Sequence, residues 1–215
     1  MRRVKFFLGL RWRNATTRNH LSIRNRILSK VAKFLAYFAF GFLGATSFAI
    51  SGAAPFDKNT ITALYAYKLA KFVQWPVSGL SSEDLSFRFC VLGKNPFPID
   101  TINLIEGKFV KGRRLQVELY ETGLVPVSTL SECQLAYVAV SEKHRLGTIL
   151  SELQNLPVLT VSDIQNFWRQ GGMVTLVEND SKIRFQINNA ALKRAGLTIS
   201  SNILDLAELV NDTDP

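Results

Sequence analysis

Residues 134–141, QLAYVAVS, are apolar almost without interruption, and this run decides the fold. A strand with one face toward water alternates apolar and polar side chains, whereas an unbroken apolar run of strand length indicates burial on both faces. Strands of that kind belong to parallel sheets that helices cover on both sides. We therefore expect residues 134–141 to form a central strand of a mostly parallel sheet.

Segments with strand patterns lie on both sides of this run and are separated by segments with helix patterns. Alternation of strands and helices favours an α/β fold in which consecutive strands run parallel. The expected fold class is α/β: a single domain with a mostly parallel sheet, helices on both faces and a C-terminal antiparallel hairpin. The other predicted strands are residues 86–93, 115–120 and 157–162, and the hairpin covers residues 173–188 with its turn at Asn179 and Asp180.

Two of the predicted helices have a clear apolar face. The first covers residues 60–74 and ends at Trp75-Pro76, because the residue before a proline avoids helical geometry. The second lies within residues 144–155. The residues predicted on the buried faces are Ile61, Leu64, Tyr65, Leu69, Phe72 and Val73 in the first helix, and Leu146, Ile149, Leu150 and Leu153 in the second.

Shorter helices are predicted from their end signals. Residues 101–107 should form a helix that Gly107 caps, since glycine tolerates the left-handed geometry in which many helices end. The next should begin at Ser162 as its N-cap and end at Gly171-Gly172. A closing pair of helices, broken near Gly196, is expected at the end of the domain.

Charge is distributed unevenly along the 215 residues. The formal net charge of +9 would suit a nucleic-acid-binding protein. Residues 1–54, however, hold ten of the 26 basic residues and no acidic one, which leaves 16 basic against 17 acidic residues in residues 55–215. Because binding to a nucleic acid needs clustered cations, this balance argues against nucleic acid as a partner of the folded domain.

Residues 1–54 have the organisation of an export signal. A basic segment over residues 1–33 precedes an apolar stretch over residues 34–48, and small residues follow. We predict cleavage at Ala49, Ala53 or Ala54, which leaves residues 55–215 as one domain in the periplasm. The alternative is an uncleaved membrane anchor, because residues 34–54 are just long enough to span a bilayer.

The two cysteines, Cys90 and Cys133, both fall in the exported part of the chain. In an oxidising compartment they predict a single disulfide. The chain-entropy model assigns about 4 kcal/mol of stabilisation to closing a loop of this length. The alternative is a pair of buried thiols.

Residues that could support catalysis or hold a metal are scarce. His144 is the only histidine after the predicted signal, which argues against a zinc site and against a Ser-His-Asp triad. Residues 107–114, GKFVKGRR, have the glycine spacing of a phosphate loop but lack its Lys and Ser or Thr. We interpret them as a basic turn into a strand, and the alternative is a contact with an anion or a partner through Lys108, Lys111, Arg113 and Arg114. We expect no enzyme activity, no metal and no cofactor.

Candidate binding residues occur in two places. In residues 184–199, RFQINNAALKRAGLTI, Phe185 and Ile187 should face the core from a strand. That leaves Arg184, Gln186 and Asn188 on the other side, where they could frame a partner or ligand groove, although Asn188 has the alternative of capping the following helix. Trp75 is the other candidate, because tryptophan is favoured as a binding anchor, with packing at the helix end as the alternative.

Eight segments, in this order along residues 58–210, resemble the YfiR/HmsC-like family of periplasmic proteins. They are AYKLAKFVQWP (66–76), FCVLG (89–93), VKGRRLQV (110–117), CQLAYVAVS (133–141), VLTVSD (158–163), GGMVTLV (171–177), IRFQIN (183–188) and AGLTISSNILDLA (195–207). By this resemblance Cys90 and Cys133 correspond to the family's first cysteine pair. The second pair, which some members carry, is missing from this sequence.

The resemblance implies a non-catalytic repressor. Family members bind the periplasmic region of a membrane-bound diguanylate cyclase, hold it inactive and keep cyclic di-GMP low, which limits biofilm and exopolysaccharide. An outer-membrane OmpA-like lipoprotein can sequester the repressor, and homodimers are usual. The alternative function is a periplasmic small-molecule-binding module that serves another membrane receptor, since α/β sheets offer ligand crevices at their strand ends.

Overall fold

The computed structural model describes residues 57–76, 80, 85–121, 125–179 and 182–211. The export signal and the cleavage sites predicted within residues 1–54 lie outside these residues and stay predictions. Within the described part of the chain, no helix is both long enough and apolar enough to cross a membrane.

The described residues form an eight-stranded sheet, a two-stranded sheet and short helices. In chain order the elements are α1 (Lys58–Ala70), β1 (Val73–Gln74), β2 (Ser86–Leu92), α2 (Ile99–Ile105), β3 (Phe109–Val110), β4 (Arg113–Tyr120), α3 (Val127–Leu130), β5 (Leu135–Val138), a 3₁₀ helix (Val140–Arg145), α4 (Leu146–Leu153), β6 (Leu159–Ser162), a second 3₁₀ helix (Phe167–Gln170), β7 (Val174–Asn179), β8 (Lys182–Asn188), α5 (Asn189–Arg194), β9 (Thr198–Ile199), α6 (Ser201–Leu204) and β10 (Glu208–Val210).

The main sheet has the strand order β10-β8-β7-β6-β5-β2-β4-β3. The five strands β4, β2, β5, β6 and β7 run parallel to one another, and β10 runs parallel to β8. Two pairs are antiparallel, β3 with β4 and β7 with β8. The predicted mostly parallel sheet with a C-terminal antiparallel hairpin is therefore confirmed.

The sheet separates two hydrophobic cores. Along β2, Phe87 and Phe89 contribute to the core that α1, α2 and α5 cover, which we call core A. Cys90 and Leu92 contribute to the core on the opposite face, which α3 and α4 cover and which we call core B. Because side chains alternate between the faces of a strand, a central strand such as β2 supplies both cores. The expected helices on both faces are present.

Strand β5 confirms the prediction from the apolar run. All four of its residues are buried, and it lies between β2 and β6. Leu135 and Tyr137 belong to core A, whereas Ala136 and Val138 belong to core B.

Helix α1 differs from the prediction in length and in its buried face. It ends at Ala70, and Val73-Gln74 instead pair antiparallel with Thr198-Ile199. Its buried side consists largely of small residues, with Ala63 and Ala66 fully buried, whereas Phe72 is 43% exposed. The predicted buried face consisted of the large apolar side chains, but small side chains allow a helix to pack closer to a sheet, and here they form most of the buried face. Of the residues predicted to be buried, Ile61, Leu64 and Tyr65 are only partly buried, and Leu69 and Val73 are buried.

Ser162 is not the N-cap of a helix, as the sequence suggested. It ends β6, where its hydroxyl donates to the Val138 carbonyl oxygen at 2.7 Å and accepts from the Ile164 amide at 3.0 Å. The predicted helix is a short 3₁₀ helix that begins later, after Asn166 in left-handed geometry, and Gly171 ends it with φ 93°. The predicted glycine terminator is confirmed.

The C-terminal part contains more strand than predicted. Gly196 has φ 71° and breaks the first helix, as expected, but β9 and β10 occupy segments that had been predicted as helix. Strand β10 forms the outer edge of the sheet beside β8. Asn179 pairs with Lys182 as the last residue of β7, which places the end of the hairpin where it was predicted; Asp180 lies outside the described residues, so its part in the turn stays a prediction.

The predicted disulfide joins Cys90 on β2 to Cys133, just before β5, with their Cα atoms 6.0 Å apart. Both residues are buried in core B. The bridge spans a sequence separation of 43 residues and links two neighbouring central strands.

We expect Cys90→Ser to lower the free energy of unfolding of the exported protein by about 4 kcal/mol under oxidising conditions, because the unfolded chain loses a long-range constraint. Denaturant titration of both proteins, with and without reductant, measures this. Reductant should reproduce the loss in the unchanged chain. Equal stability in all samples would contradict the presence of the bridge.

Two glycines provide a matched pair of packing variants. A Cβ atom at Gly172 would overlap the fully buried Phe167 ring, whereas one at Gly147 in α4 would meet only Gln170 Oε1, at 3.6 Å. We expect Gly172→Ala to destabilise the fold by about 1–3 kcal/mol. We expect Gly147→Ala to stabilise it by up to about 1 kcal/mol, since alanine favours helices. Thermal melts of both variants test this pair, and a neutral Gly172→Ala would contradict the packing.

Candidate functional site

The connections of the sheet diverge between β2 and β5. From β2 the chain crosses core A through α2 and continues to β4, on the side of β2 away from β5. From β5 it crosses core B through α4 and continues to β6, on the side of β5 away from β2. In open α/β sheets, ligands bind in the crevice outside the carboxyl ends of strands where the connections diverge in this way. The residues that follow β2, β5 and β6 meet at this edge.

A crevice of about 290 Å³ lies at this position. Lys94 and Asn95 come from the segment after β2, Ser141 from the segment after β5, and Asp163 directly follows β6. Asn59 from α1 and the buried Tyr137 of β5 complete the polar lining. Because these groups come from distant parts of the sequence, only the folded chain forms the crevice.

Tyr137 and Asp163 form the buried polar centre of the crevice. The Tyr137 hydroxyl donates to Asp163 Oδ1 at 2.7 Å. Burial, and then the negative charge of Asp163, raise the pKa of Tyr137 well above its usual range. The Lys58 ammonium lies 3.9 Å from Asp163 Oδ2 and 3.6 Å from Glu178 Oε2, which balances part of the negative charge at this end of the sheet.

The segment after β2 is held in a fixed geometry. The Lys94 amide donates to Ser141 Oγ at 2.8 Å, which ties the ends of β2 and β5 together. Gly93 has φ 94°, and a Cβ atom there would overlap the side chains of Ser141 and Glu142. Asn95 accepts from the Phe97 amide at 3.0 Å, and the Phe97 ring lies 4.7 Å from that of Tyr137. The crevice wall is therefore rigid and suited to non-covalent binding.

Groups for covalent or metal chemistry are not assembled at this crevice. The His144 ring is exposed and contacts the Ser141 carbonyl oxygen at 3.1 Å, rather than the Ser141 hydroxyl. Among the described residues, no three His, Cys, Asp or Glu side chains come close enough to hold a metal ion. The arrangement can bind a polar molecule through hydrogen bonds and charges.

Trp75 packs within the protein in this structure. Only 9% of it is exposed, its indole N–H donates to the Gln134 carbonyl oxygen at 3.3 Å, and its ring meets that of Phe87 edge-on at 5.3 Å. These contacts agree with the alternative given for Trp75, in which the side chain packs against the protein and does not act as a binding anchor. Trp75 lies in core A and does not line the crevice.

Arg184 and Gln186 lie on β8, with Arg184 exposed and Gln186 partly exposed. Gln186 Nε2 donates to Glu208 Oε2 of the edge strand β10 at 3.0 Å. As predicted, Ile187 points into core A and Phe185 packs against it. This surface is at one end of the sheet, separate from the crevice, and its contact with a partner stays a prediction.

Asn188 is fully buried and caps helix α5. Its Oδ1 accepts from the Ala191 amide at 2.9 Å, and its Nδ2 donates to the Trp168 carbonyl oxygen at 3.4 Å. Both ends of the side chain are therefore engaged, as the capping alternative predicted.

The structure also places the remaining candidates of the sequence analysis. Residues 107–114 form a basic hairpin between β3 and β4, which confirms the turn interpretation. Tyr137, Ser141 and Asp163 were not predicted as a site. A usable signal existed, because Ser141 ends one predicted buried strand and Asp163 directly follows another.

We expect Tyr137→Phe to cost about 1.5–3 kcal/mol of stability at pH 7, since it removes a hydrogen bond to a charged group. The folded protein keeps the Tyr137 proton above pH ~10, where the unfolded chain releases it. Its contribution is therefore complete below that pH and decreases above it.

Urea titrations at neutral pH and above pH ~10 should show that the stability difference between Tyr137→Phe and the unchanged protein shrinks at the higher pH. Tyr120→Phe is the comparison: its stability difference should shrink in the same way but level off near pH 12, because burial and then Glu118 raise the pKa of Tyr120 only to about 12. A difference that stays constant with pH for Tyr137→Phe would contradict the assigned contact.

One solved structure to which the chain has a limited similarity is described as an ABC domain in complex with L-Trp from Streptococcus pneumonia. The sequences are 13% identical, the match covers 67% of this chain and 60% of that chain, and the TM-score is 0.45. The match thus spans less than two thirds of that protein, and similarity at this level carries no information about ligands.

The family comparison is more informative. The model of the YfiR/HmsC-like family matches residues 59–208, well over half of the chain, and this range contains the crevice, the disulfide and nearly the whole main sheet. Members of the family are non-catalytic periplasmic regulators in the diguanylate cyclase pathway. The chain belongs to the YfiR/HmsC-like family.

Proposed function

We propose that this protein is a periplasmic repressor that binds the periplasmic region of a membrane-bound diguanylate cyclase and lowers cyclic di-GMP, limiting biofilm and exopolysaccharide. The observation that carries the proposal is the family match over residues 59–208.

Repression by contact requires a difference in affinity between two states of the cyclase. The protein must bind the inactive state more tightly than the active one, because equal affinity for both states shifts nothing. A change from a mostly active to a mostly inactive population needs a preference of about 10⁴-fold. Such a preference can come from a surface that fits only one arrangement of the sensor region.

The surface that we assign to the cyclase is formed by β8 and β10. Arg184 is exposed on β8, and Leu206 and Leu209 near the outer edge are 76% and 58% exposed. Arginine together with exposed aliphatic side chains is a composition that suits protein interfaces, although Leu209 and Arg184 lie on opposite faces of this edge. Strand β10 is the outermost of the described strands and offers backbone groups to a second copy, so the proposal includes a homodimer. An OmpA-like outer-membrane lipoprotein would compete for the repressor.

A second candidate function is the binding of a small molecule for another membrane receptor. The crevice between the ends of β2 and β5 favours it, since its polar groups lie where α/β proteins bind ligands. Gly93→Ala would push a side chain into Ser141 and deform the crevice. The test is to screen the purified protein against a metabolite library and to repeat any binding measurement with Gly93→Ala. Binding in the crevice should be weakened by Gly93→Ala, and a protein that binds no member of the library would exclude this candidate.

We expect deletion of the gene in its host to raise intracellular cyclic di-GMP, and a periplasm-directed copy of residues 55–215 to reverse the rise. Extraction and quantification of the nucleotide under biofilm-forming growth measures this. A copy retained in the cytoplasm is the control and should have no effect. Unchanged nucleotide on deletion would refute the proposed repression and leave the small-molecule function.

In the same assay, Arg184→Glu should leave cyclic di-GMP near the level of the deletion strain, because it reverses a charge within the assigned surface. Lys182→Glu is the matched control, since Lys182 is exposed on the same strand and side but lies toward the turn. Both variants must accumulate to equal levels. Full repression by Arg184→Glu would exclude the β8 surface as the cyclase contact.

A further inference from the structure

The outer edge of β4 has, for most of its length, no strand beside it within the part of the chain that the structure describes. Strand β3 pairs only with Arg113 and Arg114, at the start of β4. Residues 115–120 continue beyond this pairing and are bonded to β2 on their inner side. A sheet edge of this kind presents backbone N–H and C=O groups to any further strand.

The odd-numbered residues of β4 direct their backbone groups toward this outer edge. The Arg114 amide donates inward, to the carbonyl oxygen of the residue just before β2, at 3.0 Å. The Leu115 amide donates outward, to the Lys108 carbonyl oxygen at 2.7 Å. Because consecutive residues of a strand direct their backbone groups to opposite sides, the N–H groups of Val117 and Leu119 also point outward.

A side chain occupies the first of these two donors. Glu106 is exposed and directly follows α2, and its Oε2 accepts from the Val117 amide at 2.8 Å. This contact continues the backbone bond in which the Gly107 amide donates to the Leu115 carbonyl oxygen at 2.9 Å. The carboxylate therefore stands where the carbonyl oxygen of a neighbouring strand would accept, and it shortens the part of β4 with which a further strand can pair.

The remaining part of the edge is suited to pairing with a second copy of itself. Val117 and Tyr120 are of the residue types that strands favour, and Leu119 between them is 42% exposed. An antiparallel pair of copies centred on Leu119 places Leu119 opposite Leu119 and Val117 opposite Glu121, so that no like charges oppose each other. That register needs the Val117 amide as a donor, and Glu106 occupies it.

We propose that Glu106 guards the outer edge of β4 against strand pairing with a second copy of this chain. The consequence for assembly rests on the homodimer of the proposed function, because β10 is the outermost described strand at the other end of the sheet. Copies that pair through both ends of the sheet grow into an open polymer, whereas copies that pair through β10 alone stop at two. The guard therefore keeps the assembly closed.

The test measures self-association and contains no cyclase, so this proposal and cyclase repression can fail separately. Protein is recovered from the periplasm of cells that express the full chain, and its mass is measured by sedimentation velocity over a wide range of concentration. We expect Glu106→Ala to raise the weight-average mass at least about twofold above that of the unchanged protein at the highest concentration, because alanine leaves the Val117 amide open. Glu106→Gln is the matched control, since its side-chain oxygen still accepts, and its mass should equal that of the unchanged protein.

A second substitution separates edge pairing from misfolding. Leu119→Lys adds a positive charge to the open part of the edge, and like charges opposite each other resist the pairing of two copies. The double variant Glu106→Ala/Leu119→Lys should therefore return to the mass of the unchanged protein, although it still lacks the contact with Val117. Misfolding alone would leave the double variant as associated as the single one.

Three results would overturn the proposal. Glu106→Ala could keep the mass of the unchanged protein at every concentration, which would show that the β4 edge needs no guard. Glu106→Gln could associate as strongly as Glu106→Ala, which would assign the effect to charge rather than to the occupied amide. The double variant could stay as associated as Glu106→Ala, which would place the association elsewhere on the protein.

Discussion

The structure depends on the burial of β5 from both sides. Its residues alternate between core A and core B, so neither core can form unless helices cover both faces of the sheet. Gln134, just before β5, reinforces this position. Its backbone accepts from the Trp75 indole and from the Leu159 amide, and its side chain accepts from the Arg88 amide at 2.7 Å. With the adjacent Cys133 bridged to Cys90, the start of β5 is fixed by covalent, backbone and side-chain contacts at once.

That constraint also produces the crevice. Strands β5 and β2 are neighbours, but the connection that follows β5 leads to β6, away from β2. The carboxyl ends of β2 and β5 therefore leave a gap, which Lys94, Ser141 and Asp163 line. The rigid core beneath this gap orients Tyr137 toward Asp163. The same sheet ends in the β8–β10 edge on one side and in the basic hairpin on the other. One scaffold therefore carries a crevice at its strand ends and, at its edge, the surface to which we assign the proposed cyclase contact.

The main sheet could be predicted from the sequence because a strand buried on two faces is apolar along its length, as at residues 134–141. Helix α4 could be predicted because its four buried residues share a face.

Prediction failed where tertiary contacts override the local sequence pattern. The segment after Ala70 becomes a strand through its pairing with β9, and β10 joins the sheet although its sequence resembles a helix. The crevice was missed because Asn59, Lys94 and Asp163 are far apart in sequence and meet only through the topology. Asn188 was ambiguous, since capping and binding use the same polar atoms.

In the proposed function, this protein acts on a diguanylate cyclase by contact alone. The most direct measurement reconstitutes the full-length membrane cyclase in bilayer discs and follows cyclic di-GMP synthesis while the periplasmic protein is added on the side of the sensor region. The account predicts a saturable fall in rate that reaches its limit when the sensor regions are occupied, with no chemical change in either protein. An unchanged rate at saturating amounts of folded, disulfide-bonded protein would contradict it.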